Sequence, residues 1–137
     1  MPYKIKKVDI WEAGIEDRPG GLADTLAPLA KGKDNCDFML ARRSGGDSGT
    51  LYVALSKSSS KTAKAAGLSK PSDLFALRIE GPDKAGLCAK AARALGDSGI
   101  SMRGLNGVVF GRKVVIHISF TAPDDATKAL KVLKKAL

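Results

Sequence analysis

The sequence predicts an α+β fold of two similar modules in tandem, with antiparallel sheets and the helices on one face. A turn that runs from Asp to Gly and leads into an apolar helical pattern occurs at 17–20 and again 66 positions later, at 83–86. Both copies have the predicted element order β, α, β, β, α. The same spacing also pairs residues beyond the turns, namely Ala23 with Ala89, Leu29 with Leu95 and Asn35 with Ser101. Because the match extends beyond the turn itself, it indicates an internal duplication.

The first module is predicted to begin with a strand at 5–13, which has apolar residues on both faces. After the turn, apolar residues recur at helical spacing from Leu22 to Ala30, and Gly32 is a plausible stop. Pro28 lies inside that pattern, so we expect a kink in the later half of the helix.

Two strands are predicted next, at 36–42 and 50–56. The Gly- and Ser-rich segment between them, 44–49, predicts a hairpin loop longer than a two-residue turn. A short helix at 58–66, with Gly67 as its C-cap, completes the first module.

The second module is predicted to have a strand at 74–80, a helix at 85–95, strands at 100–110 and 113–121, and a helix at 124–137. In the third of these strands, alternate residues form an apolar face that we expect to enter the core: Val114, Ile116, Ile118 and Phe120. The last helix has one apolar stripe, made of Ala126, Ala129, Leu130, Leu133 and Leu137. It is therefore an amphipathic helix that packs on a sheet.

The domain boundary is placed at the turn residues 70–73, so the modules are assigned to 1–70 and 71–137. No strand pattern follows the last helix of either copy, because 68–73 is short and interrupted by Pro71. Three sources of a fourth strand stay open: the N-terminal strand or the segment near Leu74 serving two sheets, or a partner chain.

Composition limits the function classes. Apolar residues make up 44% and charged residues 27% of the chain, as in globular proteins. No apolar run reaches the roughly 20 residues that cross a bilayer, and no secretory signal is visible, so we expect a cytoplasmic protein without membrane contact. The 23 basic against 14 acidic residues make nucleic acid a partner to consider. However, the lysines are scattered and aromatic residues total only 5%.

The sequence predicts neither a cofactor nor a catalytic centre. Cys36, Cys88 and the single histidine, His117, have no metal-ligand spacing, and we expect the thiols to be small buried side chains. His117 lies on the mixed face of its strand and is interpreted as a partly buried residue at a module or subunit interface. No nucleophile elbow or Walker motif is present, so an enzyme is not predicted.

The repeated turn does predict binding chemistry. A strand that ends in a Gly-containing turn before a helix presents main-chain N–H groups at the positive end of the helix dipole, where a carboxylate or phosphate is stabilised. Gly20 and Gly86 would allow a ligand to approach the backbone, and the carboxylates of Asp17 and Asp83 could accept hydrogen bonds from an ammonium group. The structural alternative is ordinary capping and turn chemistry.

Around these turns the chain resembles the ACT domain family. The first copy carries the resemblance in Asp17, Arg18, Pro19, Gly20, Gly21, Leu22 and Ala23, with Asn35 and Phe38 further on. The second copy is similar, with Asp83, Lys84, Ala85, Gly86 and Leu87, followed by Gly99, Ile100 and Ser101. The resemblance covers nearly the whole chain as a tandem pair.

The resemblance implies ferredoxin-like βαββαβ modules that bind amino acids or other small effectors where two modules meet. Carried over residue by residue, the implied ligand-binding residues are Asp17, Arg18, Pro19, Gly20, Gly21, Leu22 and Asn35 in the first copy, and Asp83, Lys84, Gly86, Leu87 and Ser101 in the second. Domains of this family are usually attached to an enzyme or a DNA-binding domain, whereas we expect here a stand-alone regulatory protein that forms a homodimer and acts on a protein partner.

Three functional hypotheses follow. The first is a small-molecule regulator, with an amino acid as effector. The second is a basic nucleic-acid-binding protein on a ferredoxin-like sheet, which a steep salt dependence of binding would reveal. The third is an assembly protein that uses its sheet edges and is indifferent to metabolites.

Overall fold

The computed structural model describes residues 2–56 and 60–137. The elements along the chain are β1 (Lys4–Val8), β2 (Trp11–Glu16), α1 (Gly21–Lys31), β3 (Cys36–Gly45), β4 (Ser48–Leu55), α2 (Ser60–Ala65), β5 (Phe75–Pro82), α3 (Leu87–Asp97), β6 (Gly104–Phe110), β7 (Lys113–Phe120) and α4 (Pro123–Ala136). They form two compact units: the 9–72 unit, Asp9–Ser72, and the C-terminal unit, which joins Asp73–Leu137 to the residues up to Val8. The predicted α+β class with two antiparallel sheets is confirmed.

The C-terminal unit is built on a four-stranded sheet in the order β1-β5-β7-β6. Its core includes the predicted apolar face of β7 and the apolar stripe of α4, where Ala129 and Leu133 are fully buried. α3 contributes Leu87, Ala91 and Leu95 to the same core. The spacing of apolar residues in β7 and α4 therefore predicted the buried faces of these two elements correctly.

The predicted strand at 5–13 is in fact two strands that belong to different sheets. β1 pairs antiparallel with β5, with Ile5 opposite Ile79, whereas β2 pairs with β4. Ile5 is buried, and Lys7 reaches α4, where its Nζ donates a hydrogen bond of 2.7 Å to Thr127 Oγ1. The N-terminal segment thus supplies the fourth strand of the C-terminal unit, and the two units do not divide at the sequence-based boundary between 70 and 71.

The 9–72 unit has a three-stranded sheet in the order β2-β4-β3. Beside β2, where a fourth strand would lie, Glu12 and Ser69 form an isolated antiparallel bridge with N–O distances of 2.8 and 2.9 Å. Trp11, Leu29, Leu51 and other apolar residues form a separate core. The segment before Pro71 therefore pairs at one residue only, because proline cannot continue a ladder.

The predicted long loop at 44–49 is wrong. β3 and β4 remain paired to Gly45 opposite Ser48, so the loop has two residues, and the irregularity between Arg43 and Gly45 takes up the extra residue. The hairpin of β6 and β7 also has a two-residue loop. Both loops begin with a glycine at positive φ, 60° at Gly46 and 61° at Gly111, as tight hairpin turns require.

Two helix predictions differ in their bounds. α3 begins at Leu87 rather than at 85, because Gly86 is its N-cap. Of the helix predicted at 58–66, residues 60–65 form α2, and 58 and 59 lie outside the described residues.

Candidate functional site

The two predicted turns have nearly the same backbone. We call 17–20 the first turn and 83–86 the second turn. The N-cap glycine has φ 84° and ψ −8° at Gly20, and φ 85° and ψ 1° at Gly86. Each turn opens a helix of 11 residues, and the helix bounds keep the spacing of 66 positions. A side chain at such a φ would be strained, so this conformation explains the glycine in both copies.

Each turn also rests on the hairpin loop of its own unit. The N–H of Asp17 donates to the carbonyl of Asp47 at 2.9 Å, and the N–H of Asp83 donates to the carbonyl of Arg112 at 2.8 Å. These acceptors occupy the same position in the two-residue loops. The main-chain scaffold of the candidate site is therefore repeated, beyond what the sequence match alone indicated.

The side chains of the first turn are engaged in ion pairs. Arg43 on β3 binds the Asp17 carboxylate through Nε at 2.6 Å and Nη2 at 3.3 Å. Arg18 binds Glu16 at 2.5 Å and Asp24 at 2.6 Å. These carboxylates raise the pKa of both guanidinium groups. The charged side chains of the first turn are therefore already paired with neighbours of opposite charge.

The second turn lacks this network, because its counterpart positions are occupied differently. Val109 replaces Arg43, Pro82 replaces Glu16 and Lys90 replaces Asp24. Among the described residues, neither Asp83 nor Lys84 has a side-chain ion pair. α3 also has no acidic residue in its first turn. A carboxylate and several cations therefore remain available to a ligand at the second turn.

A cavity of about 450 Å³ borders the second turn. We call it the corner cavity; it is lined by Pro2, Lys4, Glu80, Gly81, Pro82, Arg112 and Lys113. Its one carboxylate, Glu80, accepts a hydrogen bond from Arg78 at 2.5 Å. Arg78 in the first place, and then Lys4 and Lys113, lower the pKa of Glu80. The three lining cations make no ion pair within the described part of the chain.

The remaining predicted residues differ in their surroundings. Gly21 is buried, and a Cβ there would collide with the carbonyl oxygen of Glu16. Leu22 is 38% exposed, whereas Leu87, one position earlier in its helix, is buried in the core. Pro19 contributes its carbonyl, which accepts a hydrogen bond from Arg18 Nη1 at 3.2 Å.

Asn35 and Ser101 lie far from the turn of their own unit. Asn35 precedes β3 at the end where Cys36 pairs with Leu55, whereas the first turn follows Glu16, which pairs with Ser48 at the other end of β4. Seven residues of extended strand separate these ends, which is about 23 Å. Ser101 has the same relation to the second turn, because it precedes β6. One small ligand cannot contact both sets within one module.

Sequence reasoning missed Arg43, Glu16 and Asp24 as partners of the first turn. Arg43 lies 26 residues from Asp17, and its counterpart Val109 is apolar, so the repeat gave no signal for it. The three lining cations and Glu80 of the corner cavity were also missed, because they come together only through the pairing of β5 with β1 and with β7.

The cysteines and histidine form no candidate centre within 2–56 and 60–137, where no group of three metal-ligating side chains occurs. Cys36 is partly buried, which, with nearby Asp34 and Asp37, raises the pKa of its thiol. Cys88 is exposed, contrary to the expected burial, because it lies on the outer side of α3. His117 is buried on β7, opposite Arg78 and Asn106. No described helix is long and apolar enough to cross a membrane.

Comparison with known proteins establishes the fold. No family model and no curated protein matches the chain. Protein BT0572 from Bacteroides thetaiotaomicron superposes with a TM-score of 0.79 at 20% identity, over 96% of this chain and 89% of that one. The ligand-free regulatory subunit of aspartate kinase from Thermus thermophilus has a TM-score of 0.67 at 16% identity, over 100% and 97%.

Aspartate kinase from Clostridium acetobutylicum has a TM-score of 0.62 at 20% identity, over 98% of this chain and 33% of the enzyme. The Thermus thermophilus chain, which is matched along nearly its whole length, is a regulatory subunit. The chain shares the fold of these structures, which is the α+β fold with ferredoxin-like modules that the sequence predicts.

Proposed function

We propose that this protein is a regulatory protein without enzymatic activity that binds an amino acid, and that the second turn is its principal ligand site. The observation that carries the proposal is the corner cavity beside that turn. Its volume lies in the range of small-molecule sites, and its charges have both signs. A zwitterion needs both signs at short range.

The ligand's two charged groups have separate candidate partners. In this proposal its carboxylate binds Arg112, Lys113 and the N–H groups at the start of α3, where the helix dipole favours an anion. Its ammonium group binds the carboxylate of Asp83, which forms no ion pair with another residue in the described ranges. Glu80 is a poorer ammonium partner, because Arg78 already binds it.

The first turn would bind more weakly. A ligand there competes with Arg43 for Asp17 and with two carboxylates for Arg18. Opening these exposed pairs costs little each, but the competition lowers affinity at that turn relative to the second.

Regulation would arise by linkage, since a ligand that binds one arrangement of the modules more tightly shifts the population toward it. The proposal also includes a homodimer, a regulated protein partner and an effector that binds where two modules meet. Asn35 or Ser101 can contact the ligand only if that residue and the turn that binds the ligand belong to different modules.

A thermal-shift screen of the full chain against the twenty amino acids tests the proposal. A ligand that binds the native state raises the unfolding temperature in a concentration-dependent manner. The proposal expects at least one amino acid to do so at millimolar concentration. No shift with any of the twenty contradicts it.

Variants then locate the site. Asp83→Asn and Lys113→Gln should abolish most of the shift, whereas Asp17→Asn should leave most of it. Asp97→Asn is the matched control, because this exposed carboxylate lies at the far end of α3. A shift that survives Asp83→Asn and Lys113→Gln would rule out the second turn as the principal site.

Nucleic-acid binding stays the alternative prediction from the net charge of +9. Phosphate contacts release counterions, so affinity for an oligonucleotide would fall steeply with salt. An oligonucleotide that binds with a steep salt slope, together with an unresponsive amino-acid screen, would favour this alternative.

A further inference from the structure

A second and larger cavity lies between the two helices of the 9–72 unit. We call it the helix groove. Its volume is about 750 Å³, and its lining includes Ala27, Pro28 and Lys31 of α1 together with Lys61, Ala65 and the adjoining Ala66 of α2. Such a volume lies in the range of small-molecule sites. Its described lining residues are distinct from those of both turns and of the corner cavity.

The duplication explains why this unit has a groove between its helices. In the C-terminal unit, α3 packs against α4. The spacing of 66 positions extends to the last helix of each copy, since Ala63 and its counterpart Ala129 are both fully buried. However, α2 has 6 residues and α4 has 14. Three groove alanines also correspond to larger side chains in the second copy: Ala27 to Arg93, Ala65 to Lys131 and Ala66 to Val132.

The middle of the groove is apolar and accessible. Ala27 and Pro28 are exposed on α1, and Ala65 is exposed on α2. Ala66 is half-buried, because it also packs against the core of the unit. A ligand that covers these small side chains removes apolar surface from water, which favours binding.

The unpaired charges of the groove lie at one end. β3 begins and β4 ends at the pair Cys36–Leu55. α1 leads into this end of the sheet and α2 leaves it, so Lys31 in the last turn of α1 and Lys61 in the first turn of α2 both lie there. Asp34, between α1 and β3, lines the same end. Within the described ranges, these two cations and this carboxylate form no ion pair.

At the opposite end of the groove, the charged lining residue is already bound. This residue is Asp24, in the first turn of α1. Arg18 Nη2 donates a hydrogen bond of 2.6 Å to its carboxylate. The groove therefore offers a ligand an apolar middle and, at one end, two cations against one carboxylate.

We propose that the helix groove binds a small organic carboxylate that has an apolar body and no ammonium group. The ligand's carboxylate binds Lys31 and Lys61, and its apolar body lies on the alanines and on Pro28. An ammonium group next to that carboxylate would face the same two cations and be repelled. The groove thus selects a different class of ligand from the zwitterion proposed for the second turn.

Nuclear magnetic resonance of the nitrogen-15-labelled full chain tests this, with 3-phenylpropionate as the probe. We expect saturable changes in the amide shifts of α1 and α2, with a Kd in the millimolar range or below. The amide 3-phenylpropanamide, which lacks the charge, should bind at least about threefold more weakly, because exposed charge contacts are modest. The amino acid phenylalanine, which differs from the probe by one ammonium group, should also bind the groove more weakly. Absence of saturable changes in α1 and α2, or tighter binding of either analogue there, overturns the proposal.

Two pairs of variants locate the probe. Ala27→Leu fills the groove and should weaken binding at least about tenfold, and since both residues favour helix it should not disturb α1. Ala30→Leu, on an exposed position of α1 outside the groove, is the matched control. If both variants bind the probe equally, it does not occupy the groove.

The charge variants follow the same design. Lys31→Gln and Lys61→Gln should each weaken binding roughly threefold, whereas Lys64→Gln, one turn along α2 and outside the groove, should not. Asp83→Asn and Lys113→Gln should leave the affinity for 3-phenylpropionate unchanged, so this result is independent of the amino-acid screen. If Lys113→Gln weakens binding and Lys31→Gln does not, the carboxylate lies in the corner cavity and the proposal is wrong.

Discussion

Arg43 donates two hydrogen bonds to the carboxylate of Asp17, from Nε at 2.6 Å and from Nη2 at 3.3 Å. The carboxylate of the first residue of the first turn is therefore already bound to a cation. The second turn has the same backbone, but Val109 stands where Arg43 would be. One residue on a neighbouring strand thus distinguishes two otherwise equivalent turns.

Exchanging these residues should exchange the behaviour of the turns. Arg43→Val frees Asp17, and Val109→Arg supplies a cation to Asp83. We expect affinity for the amino acid found by the screen to rise at the first turn and fall at the second, each by up to about fivefold, since exposed pairs are weak. Titration calorimetry of each variant checks this. Unchanged affinity in both would show that the ion pair does not control ligand access.

The N-cap glycines should be costly to replace. At φ near 85°, alanine costs about 1–2 kcal/mol, so Gly20→Ala and Gly86→Ala should lower the free energy of unfolding by that amount. Gly96→Ala in α3 is the control with the opposite sign, because a Cβ there meets nothing within 4 Å and alanine favours helix by about 0.5–1 kcal/mol. Urea unfolding measures all three. Equal effects of Gly86→Ala and Gly96→Ala would contradict the assigned backbone.

Gly81 should be required for the pairing of β1. A Cβ at Gly81 would lie 2.5 Å from Cδ1 of Tyr3 and 2.7 Å from the carbonyl oxygen of Pro2. We expect Gly81→Ala to cost about 1–3 kcal/mol and to speed hydrogen exchange in β1 and β5. Gly14→Ala, with nothing within 4 Å, is the matched control in the other sheet. Unchanged exchange in β5 would mean that β1 does not depend on this contact.

Glu80 should contribute to acid sensitivity. The hydrogen bond from Arg78 lowers the pKa of Glu80 in the folded state, so this carboxylate stabilises the fold above the ordinary Glu pKa of about 4.3. That stability is lost as pH falls from there through the lowered pKa. Unfolding free energies between about pH 6 and pH 3 should show a shallower decline in Glu80→Gln and in Arg78→Gln. A slope that neither variant changes would contradict the assignment.

Much of the local structure could be predicted. The repeat at 17–20 and 83–86 predicted the turns and the helices after them, because glycine, capping and apolar spacing act within a few residues. The alternation in β7 likewise predicted its buried face. The long hairpin loop at 44–49 was predicted wrongly, because glycines and serines that resemble a loop can also extend a strand through a bulge.

The sequence by itself determined the duplication, the α+β class and the positions of most elements, since these depend on residue spacing along the chain. Only the tertiary structure decided that one N-terminal segment contributes strands to two sheets. It also decided that Arg43 binds Asp17 in the first turn and that Lys4 lies opposite Glu80 near the second turn. Strand partners and ion pairs join residues far apart in the chain. Their choice follows from the total burial and charge balance of each unit rather than from local pattern.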